Sequence, residues 1–232
     1  MSLDDFYNEF NLVYNNLASN QAAGLTPYEI SVYLTKGQNL LVDETYKNFE
    51  TSEEARRKLS ILVTTLQLGK ISNLNSTDFI FPEYTVAFYQ PKNLRYIINE
   101  KLKMGTNAAR CIRNRFINIT PVSHDEIDRL IENPYKFNYN RAFRLDTSNS
   151  KVNPIDTTNN INSYIEIITK DTSVAFYQIR YIKNPTPIIL EDLVGTDEID
   201  GYTTAMNTVL PEAVHRQIVE IAAKLAYADY KS

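Results

Sequence analysis

The period of the hydrophobic pattern changes near Gly69, and this change limits the folds that the chain can adopt. Before Gly69, apolar residues recur every three or four positions, whereas after it short segments alternate with a period close to two. The first spacing gives a helix one apolar face, and the second gives a strand one apolar side. We therefore predict an α+β fold with an N-terminal helical unit, a central and mostly antiparallel β-sheet with one inserted helix, and a long C-terminal helix.

Three helices are predicted in the N-terminal unit, residues 1–68. The first carries a capping pair, Ser2 and Asp5, and the second begins at Thr26-Pro27 with Glu29 as the partner of its cap. The second helix should run to about Phe49. The third should start after a Ser52 cap and continue through Leu66, since its apolar residues keep the helical spacing to that point.

Residues 69–204 are predicted to form the sheet region. Short runs of β-branched and aromatic residues mark the candidate strands, which are Phe79–Phe81, Thr85–Gln90, Leu94–Lys103, Arg110–Thr120, Arg141–Leu145, Ile161–Lys170 and Ser173–Ile182. Met104–Asn107 and Lys170–Thr172 have the composition of hairpin connections, which favours antiparallel pairing.

One helix, residues 123–133, interrupts this region after a capping box formed by Ser123 and Glu126. The polar stretch Asp146–Asn160 is predicted to be a long exposed loop. Residues 205–232 contain the last helix, Leu210–Tyr230, which is expected to pack on the same single domain.

The pentapeptide VAFYQ occurs twice, at Val86–Gln90 and Val174–Gln178. Alternation places Phe88 on one face of its strand and Tyr89 on the other, and the second copy should behave in the same way. The pentapeptide holds no nucleophile and no general base of ordinary reactivity. We interpret the two copies as two strands of similar burial that are neighbours in one sheet, rather than as a duplicated functional site. The sequence leaves open whether a small duplication produced them.

Composition excludes several classes of function. The 232 residues have a formal net charge of −4, so no electrostatic excess favours binding to a phosphate backbone. Cys111 is the only cysteine, which rules out an intrachain disulfide. No apolar run is long enough to span a bilayer and the N-terminus is acidic, so we expect neither a membrane association nor an export signal.

No catalytic constellation can be read from the sequence. Glycine-rich phosphate loops and zinc-binding spacings are absent. His124 and Asp125 are adjacent at the start of a predicted helix, and helix capping accounts for polar residues at these positions. His215 is expected to be solvated or at an interface. Cys111 is expected to be a small buried residue of a strand.

The acidic residues near the C-terminal helix could bind a hard cation, but they lack the alternation of a calcium loop and are expected to be a solvated loop. They are Glu191, Asp192, Asp197, Glu198 and Asp200. We therefore predict no catalytic, cofactor-binding or metal-binding residue, no cofactor and no enzymatic activity. The alternative is a hydrolase or transferase that uses His124, Asp125, Cys111 or the acidic loop near Asp197.

Several segments resemble virion proteins of crAss-like bacteriophages. They are ITPVSHDEIDRLIENPY at residues 119–135, YIKNPTPIIL at 181–190, LPEAVHRQIVEIAA at 210–223, and LTPYEIS with LTKGQ at 25–31 and 34–38. These segments occur in order over most of the chain. The resemblance implies a structural protein of the head–tail connector, which forms a dodecameric ring or adaptor below the portal, links capsid to tail and encloses the DNA channel.

The same resemblance implies the partners and the location of the protein. They are further copies of the chain, the portal protein, other connector or tail ring proteins, and genomic DNA that passes without sequence-specific binding. The protein would be made in the host cytoplasm and built into the virion. A tail-proximal adaptor and a capsid accessory protein remain alternatives. The 16 tyrosines are compatible with assembly, since tyrosine suits surfaces that are buried against partners.

Overall fold

The computed structural model describes residues 1–18, 24–71, 79, 81–195 apart from 147–163, and 197–231. It confirms the α+β fold, and these residues form five helices and a curled, mostly antiparallel sheet of seven strands. The helices are α1 (Leu3–Leu17), α2 (Pro27–Lys47), α3 (Glu53–Leu59), α4 (His124–Glu132) and α5 (His215–Lys231). The strands are β1 (Val63–Leu68), β2 (Thr85–Tyr89), β3 (Leu94–Met104), β4 (Phe116–Pro121), β5 (Arg141–Asp146), β6 (Tyr164–Thr169) and β7 (Val174–Lys183).

The chain divides into two compact units. Unit 1 contains Met1–Val63 and Asn184–Ser232, and unit 2 contains Thr64–Lys183. Residues 184–204, which the sequence pattern groups with the sheet, thus fall in the unit that holds α1, α2 and α5.

In unit 1, α1 and α2 pack against α5 through apolar faces. Both predicted capping boxes are formed: Asp5 N–H donates to Ser2 Oγ over 3.2 Å, and Glu29 N–H donates to Thr26 Oγ1 over 3.3 Å. Gly37 of α2 lies against the backbone of α5, because a Cβ added there would come within 2.9 Å of the carbonyl oxygen of Ile218. The missing side chain therefore allows the close approach of two helices.

A buried polar stripe on α2 binds the extended segment 186–190. Gln38 Nε2 donates to the carbonyl oxygen of Thr186 over 2.7 Å, and the Ile188 amide donates to Thr35 Oγ1 over 3.1 Å. The Leu190 amide donates to Ser31 Oγ over 3.0 Å. These side chains recur one helical turn apart and satisfy backbone groups of Thr186, Ile188 and Leu190, while Ile189 pairs with Met206 in an isolated antiparallel bridge.

In unit 2, the strands lie in the order β1-β7-β3-β4-β5-β6-β2. The β4–β5 pair is parallel, with α4 as its crossover, and the pairs β3–β7, β3–β4, β5–β6 and β2–β6 are antiparallel. An isolated bridge between Lys70 and Phe88 joins the two ends of the order, and the Ile71 amide donates to the carbonyl oxygen of Ala87 over 2.9 Å. The sheet therefore curls until its first and last strands meet.

The curled sheet encloses one apolar core, and α4 covers a second, smaller one on the other face. Val86, Phe88, Leu102, Ile167 and Ile179 belong to the enclosed core. The second cluster consists of Ile127, Phe137, Phe143, Leu145 and Ile168.

Five predictions about the elements were wrong. Helix α3 ends at Leu59, and Val63–Leu66 lies in β1, since β-branched Val63 and Thr64 favour extended backbone. Residues 110–114 form a turn rather than a strand, with Asn114 at φ 56°. Neither Phe79 nor Phe81 lies in a strand.

The fourth wrong prediction was the hairpin at Lys170–Thr172, because β6 and β7 are not neighbours. The capping box predicted for α4 is also not formed, since the Ser123 side chain makes no cap hydrogen bond. α5 begins at His215, after a short 3₁₀ turn over Glu212–Val214. The loop predicted at 146–160 falls outside the described residues except for Asp146, which ends β5.

The two VAFYQ copies lie in β2 and β7, which are not neighbours, and they differ in burial. Phe88 is buried and Tyr89 is exposed in the first copy, whereas Tyr177 is the buried residue of the second, at the position that corresponds to Tyr89. The Phe88 and Tyr177 rings lie 5.2 Å apart in the core. The two identical pentapeptides therefore turn opposite faces of their strands towards the core. This is the result expected when the inward-facing positions of a strand shift by one residue.

Candidate assembly surface

The predicted acid–base and nucleophile candidates do not form a shared site among the described residues. His124 and Asp125 are exposed at the start of α4, and Cys111 is exposed in the turn 110–114. The expectation of a buried strand cysteine was wrong because this segment is not a strand. Within the described ranges, no group of three or more His, Cys, Asp or Glu side chains could hold a metal ion.

His215 is buried, with 5% of its surface exposed, which corrects the expectation of a solvated or interface residue. Its Nε2 lies 2.9 Å from the carbonyl oxygen of Leu210, and its ring centroid is 5.2 Å from that of Phe6. The ring therefore joins the start of α5 to α1 and the preceding segment. Its surroundings give it a packing role.

A buried charged network within unit 2 was missed by the sequence analysis. Arg144 Nε of β5 donates to Glu100 Oε1 of β3 over 3.0 Å, and the Tyr177 hydroxyl of β7 donates to Glu100 Oε2 over 2.7 Å. The side chains of Glu100 and Arg144 are almost fully buried. The sequence of β3 does not indicate that Glu100 is buried. Several residues of this strand are polar, so the sequence pattern does not distinguish a Glu that points into the core from one that points to solvent.

Unit 2 also carries an open cleft of about 800 Å³ beside α4. Its cationic side chains are Arg129 of α4, Lys136 of the following loop and Arg141 of β5, and we name this surface the basic cleft. Apolar residues form part of its lining, namely Pro121, Val122, Leu130 and Phe143. Glu126 is the one carboxylate among the described residues of the lining, against three cationic side chains. The cleft therefore combines a cationic excess with apolar surface.

The acidic residues of segment 191–200 are exposed, with no cation-binding group among the described residues. Residues 197–202, which we name the acidic turn, form a tight reversal. Ile199 and Tyr202 exchange backbone hydrogen bonds of 3.0 and 2.9 Å, with Asp200 at φ 52° and Gly201 at φ 80° between them. Two successive residues of positive φ are the signature of a two-residue turn whose conformation is fixed.

Exposed aromatic side chains are a further feature of the surface. Tyr135, three residues after the end of α4, is 87% exposed. Others with substantial exposure are Tyr89, Phe116, Tyr139, Tyr202 and Tyr230. Large rings in contact with water are typical of protein–protein contact surfaces. Among the helices in the described parts of the chain, none has the length and apolar character required to cross a membrane.

The chain matches the family model described as phage tail ring protein 3/4 over residues 1–232. It is 30% identical over 245 residues to "Ring protein 4/5" of Bacteroides phage crAss001, an alignment that covers 100% of this chain and 94% of the relative. It is also 30% identical over 240 residues to "Ring protein 3" of the same phage, which covers 97% of this chain and 95% of that relative.

These matches extend over the helices, the sheet and the last helix alike, and they confirm the resemblance to crAss-like phage virion proteins. The chain belongs to the phage tail ring protein 3/4 family, and it is a structural ring protein of a crAss-like phage virion.

Proposed function

We propose that the protein is a ring subunit of the head–tail connector, which lies below the portal, links capsid to tail and encloses the channel for DNA. The observation that carries the proposal is the full-length match to a ring-protein family. The ring would be homo-oligomeric and dodecameric, with the portal protein and other connector or tail rings as its neighbours. We further propose that the protein has no enzymatic activity.

The physical properties of the chain support this role. A ring of identical subunits needs two different surfaces on each copy, which meet head to tail and close by rotation. The exposed aromatic residues, the basic cleft and the acidic turn provide surfaces of distinct chemistry. A net charge of −4 suits a channel wall along which DNA slides without tight binding to its phosphates.

The proposed position can be tested by co-assembly with the portal protein of the same phage. The two purified proteins are mixed and separated by size-exclusion chromatography, and the co-eluting fraction is imaged by electron microscopy with class averaging. A ring stacked coaxially on the portal supports the connector position. Rings that form but do not bind portal, and that bind a tail protein instead, contradict it and favour a tail-proximal adaptor.

The proposed absence of enzymatic activity has a separate test. The wild-type protein and a His124→Ala/Cys111→Ala variant are screened against ester, phosphoester, peptide and glycoside substrates. We expect no turnover above buffer for either protein. Turnover by the wild type that is lost in a folded variant would contradict the proposal.

A further inference from the structure

The lining of the basic cleft contains three cationic side chains and one carboxylate, Glu126, so it has a cationic excess. Arg129, Lys136 and Arg141 are exposed, and none of them makes an ion pair with another described residue. Guanidinium and ammonium groups bind carboxylates and phosphates through charge-assisted hydrogen bonds. The occupant that fits this cleft is therefore anionic.

The remaining lining of the cleft favours a peptide over a nucleic-acid backbone. Val122, Leu130 and Phe143 add apolar surface, and Glu126 would repel a track of phosphates. A peptide segment with carboxylates and an adjoining apolar or aromatic side chain can satisfy both kinds of lining.

The acidic turn has this chemistry. Asp197, Glu198 and Asp200 are exposed, and Tyr202 is 41% exposed beside them. No Lys or Arg occurs between Lys183 and Arg216, so no cation close in sequence neutralises the turn. Because its backbone is already fixed by the Ile199–Tyr202 hydrogen bonds, binding would cost little additional conformational entropy.

We propose that the acidic turn of each copy binds the basic cleft of the next copy around the ring. The two surfaces differ in chemistry and lie on the same chain, as a head-to-tail contact requires. This inference rests on the proposed homo-oligomeric ring and names the contact that closes it.

Charge reversal on each side gives the test. One variant carries Arg129→Glu with Arg141→Glu in the cleft, and the other carries Asp197→Lys with Glu198→Lys in the turn. Each variant keeps one native surface and loses the other. We expect each variant alone to need a roughly tenfold or higher protein concentration than the wild type to form rings, measured by native mass spectrometry and mass photometry.

Mixing the two variants provides the decisive condition. In the mixture, the reversed turn of one variant meets the reversed cleft of the other, and the two native surfaces also meet. We expect the equimolar mixture to form rings of alternating variants at wild-type concentrations. Lys92→Glu with Arg180→Glu is the matched control, because it reverses two exposed cations elsewhere in unit 2 and should leave ring formation unchanged.

All measurements are made under the condition in which the wild type forms rings, either alone or with portal protein. Wild-type rings together with unaffected reversal variants would overturn this contact and leave the ring proposal intact. The contact is also overturned if folded variants fail to assemble and their mixture fails as well. Loss of binding to short duplex DNA by the cleft variant, with unchanged rings, would show a phosphate site instead. A wild type that forms no ring in either condition overturns both proposals.

Discussion

At the scale of single residues, Gly37 shows how one missing side chain sets the distance between two helices. A Cβ at this position would lie 2.9 Å from the Ile218 carbonyl oxygen and 3.0 Å from the Ala222 amide nitrogen. Both are backbone atoms of α5 and cannot move aside without moving the helix. The close approach of α2 to α5 therefore depends on the missing side chain at this position.

We expect Gly37→Ala to destabilise the protein by about 1–2 kcal/mol, since overpacking outweighs the gain of about 1 kcal/mol in helix propensity. The free energy of unfolding is measured by urea denaturation. Gly24→Ala is the control, because no heavy atom of the described residues, apart from its chain neighbours, lies within 4 Å of an added Cβ there. A Gly37→Ala protein more stable than the wild type would contradict the close approach.

Asp171 gives a prediction about pH. Burial raises the pKa of its carboxyl, but hydrogen bonds from the backbone amides of Ala109 and Ser173 and from the Ser173 side chain outweigh this effect and hold the pKa below its usual value. A carboxylate whose pKa is lowered by folding stabilises the protein above its unfolded pKa of about 4, and this contribution disappears as the pH falls through the lower folded value.

Asp171→Asn should therefore reduce the free energy of unfolding by about 1–2 kcal/mol near pH 7. The difference from the wild type should shrink as the pH falls below about 4. Denaturation curves across the pH range measure both effects, with the exposed Asp128→Asn as the control. A difference that stays constant down to the lowest pH would show that the negative charge is not the stabilising feature.

The burial or exposure of individual side chains was the feature that the sequence predicted least well. Cys111 was expected to be buried and is exposed, whereas His215 was expected at a surface and is buried. Cys111 lies in a turn rather than a strand, and His215 packs against Phe6, which is far away in sequence. The VAFYQ copies also differ in environment, since Phe88 of one copy and Tyr177 of the other are buried although the two pentapeptides are identical.

At the scale of secondary structure elements, α1 and α2 were predicted well because their signals are local. The capping boxes at Ser2 and Thr26 and the apolar faces of α1 and α2 depend on residues within one turn of each other. Strand pairing is not local. The short link between β6 and β7 contains Asp171, whose carboxylate accepts a hydrogen bond from the distant Ala109 amide. Because β7 pairs with β3, this link does not form a hairpin.

The buried network of β3, β5 and β7 gives a prediction at this scale. Glu100→Gln removes the charge that neutralises Arg144, and we expect a loss of about 3 kcal/mol in the free energy of unfolding. Glu54→Gln is the control, because its ion pair with Lys58 lies on the surface of α3 and its loss should change the unfolding midpoint little. Equal effects of the two substitutions would contradict a structural role for the buried pair.

At the scale of the whole molecule, the fold class and the ring-protein family followed from the sequence, whereas the basic cleft, which we propose as an assembly surface, did not. The basic cleft combines Arg129, Lys136 and Arg141 from α4, a loop and β5, which come together only once β4 and β5 pair in parallel. The acidic residues were visible in the sequence. Their fixed turn was not, because it depends on the backbone angles of Asp200 and Gly201.

Tyr135→Ala separates assembly from folding. The side chain is 87% exposed, so the free energy of unfolding should stay within about 0.5 kcal/mol of the wild type. We expect the phenol side chain of Tyr135 to lie at a contact between subunits. The substitution should then raise the protein concentration needed for assembly. A variant that loses stability and leaves assembly unchanged would contradict this assignment.

The most direct test of the central claim is the mass of the purified protein at micromolar concentration, measured together with class averages of the same sample in the electron microscope. We predict a species whose mass is a fixed multiple of 26.7 kDa and whose averages show a closed ring with a central channel. A monomer that stays monomeric when portal protein is added would contradict the account.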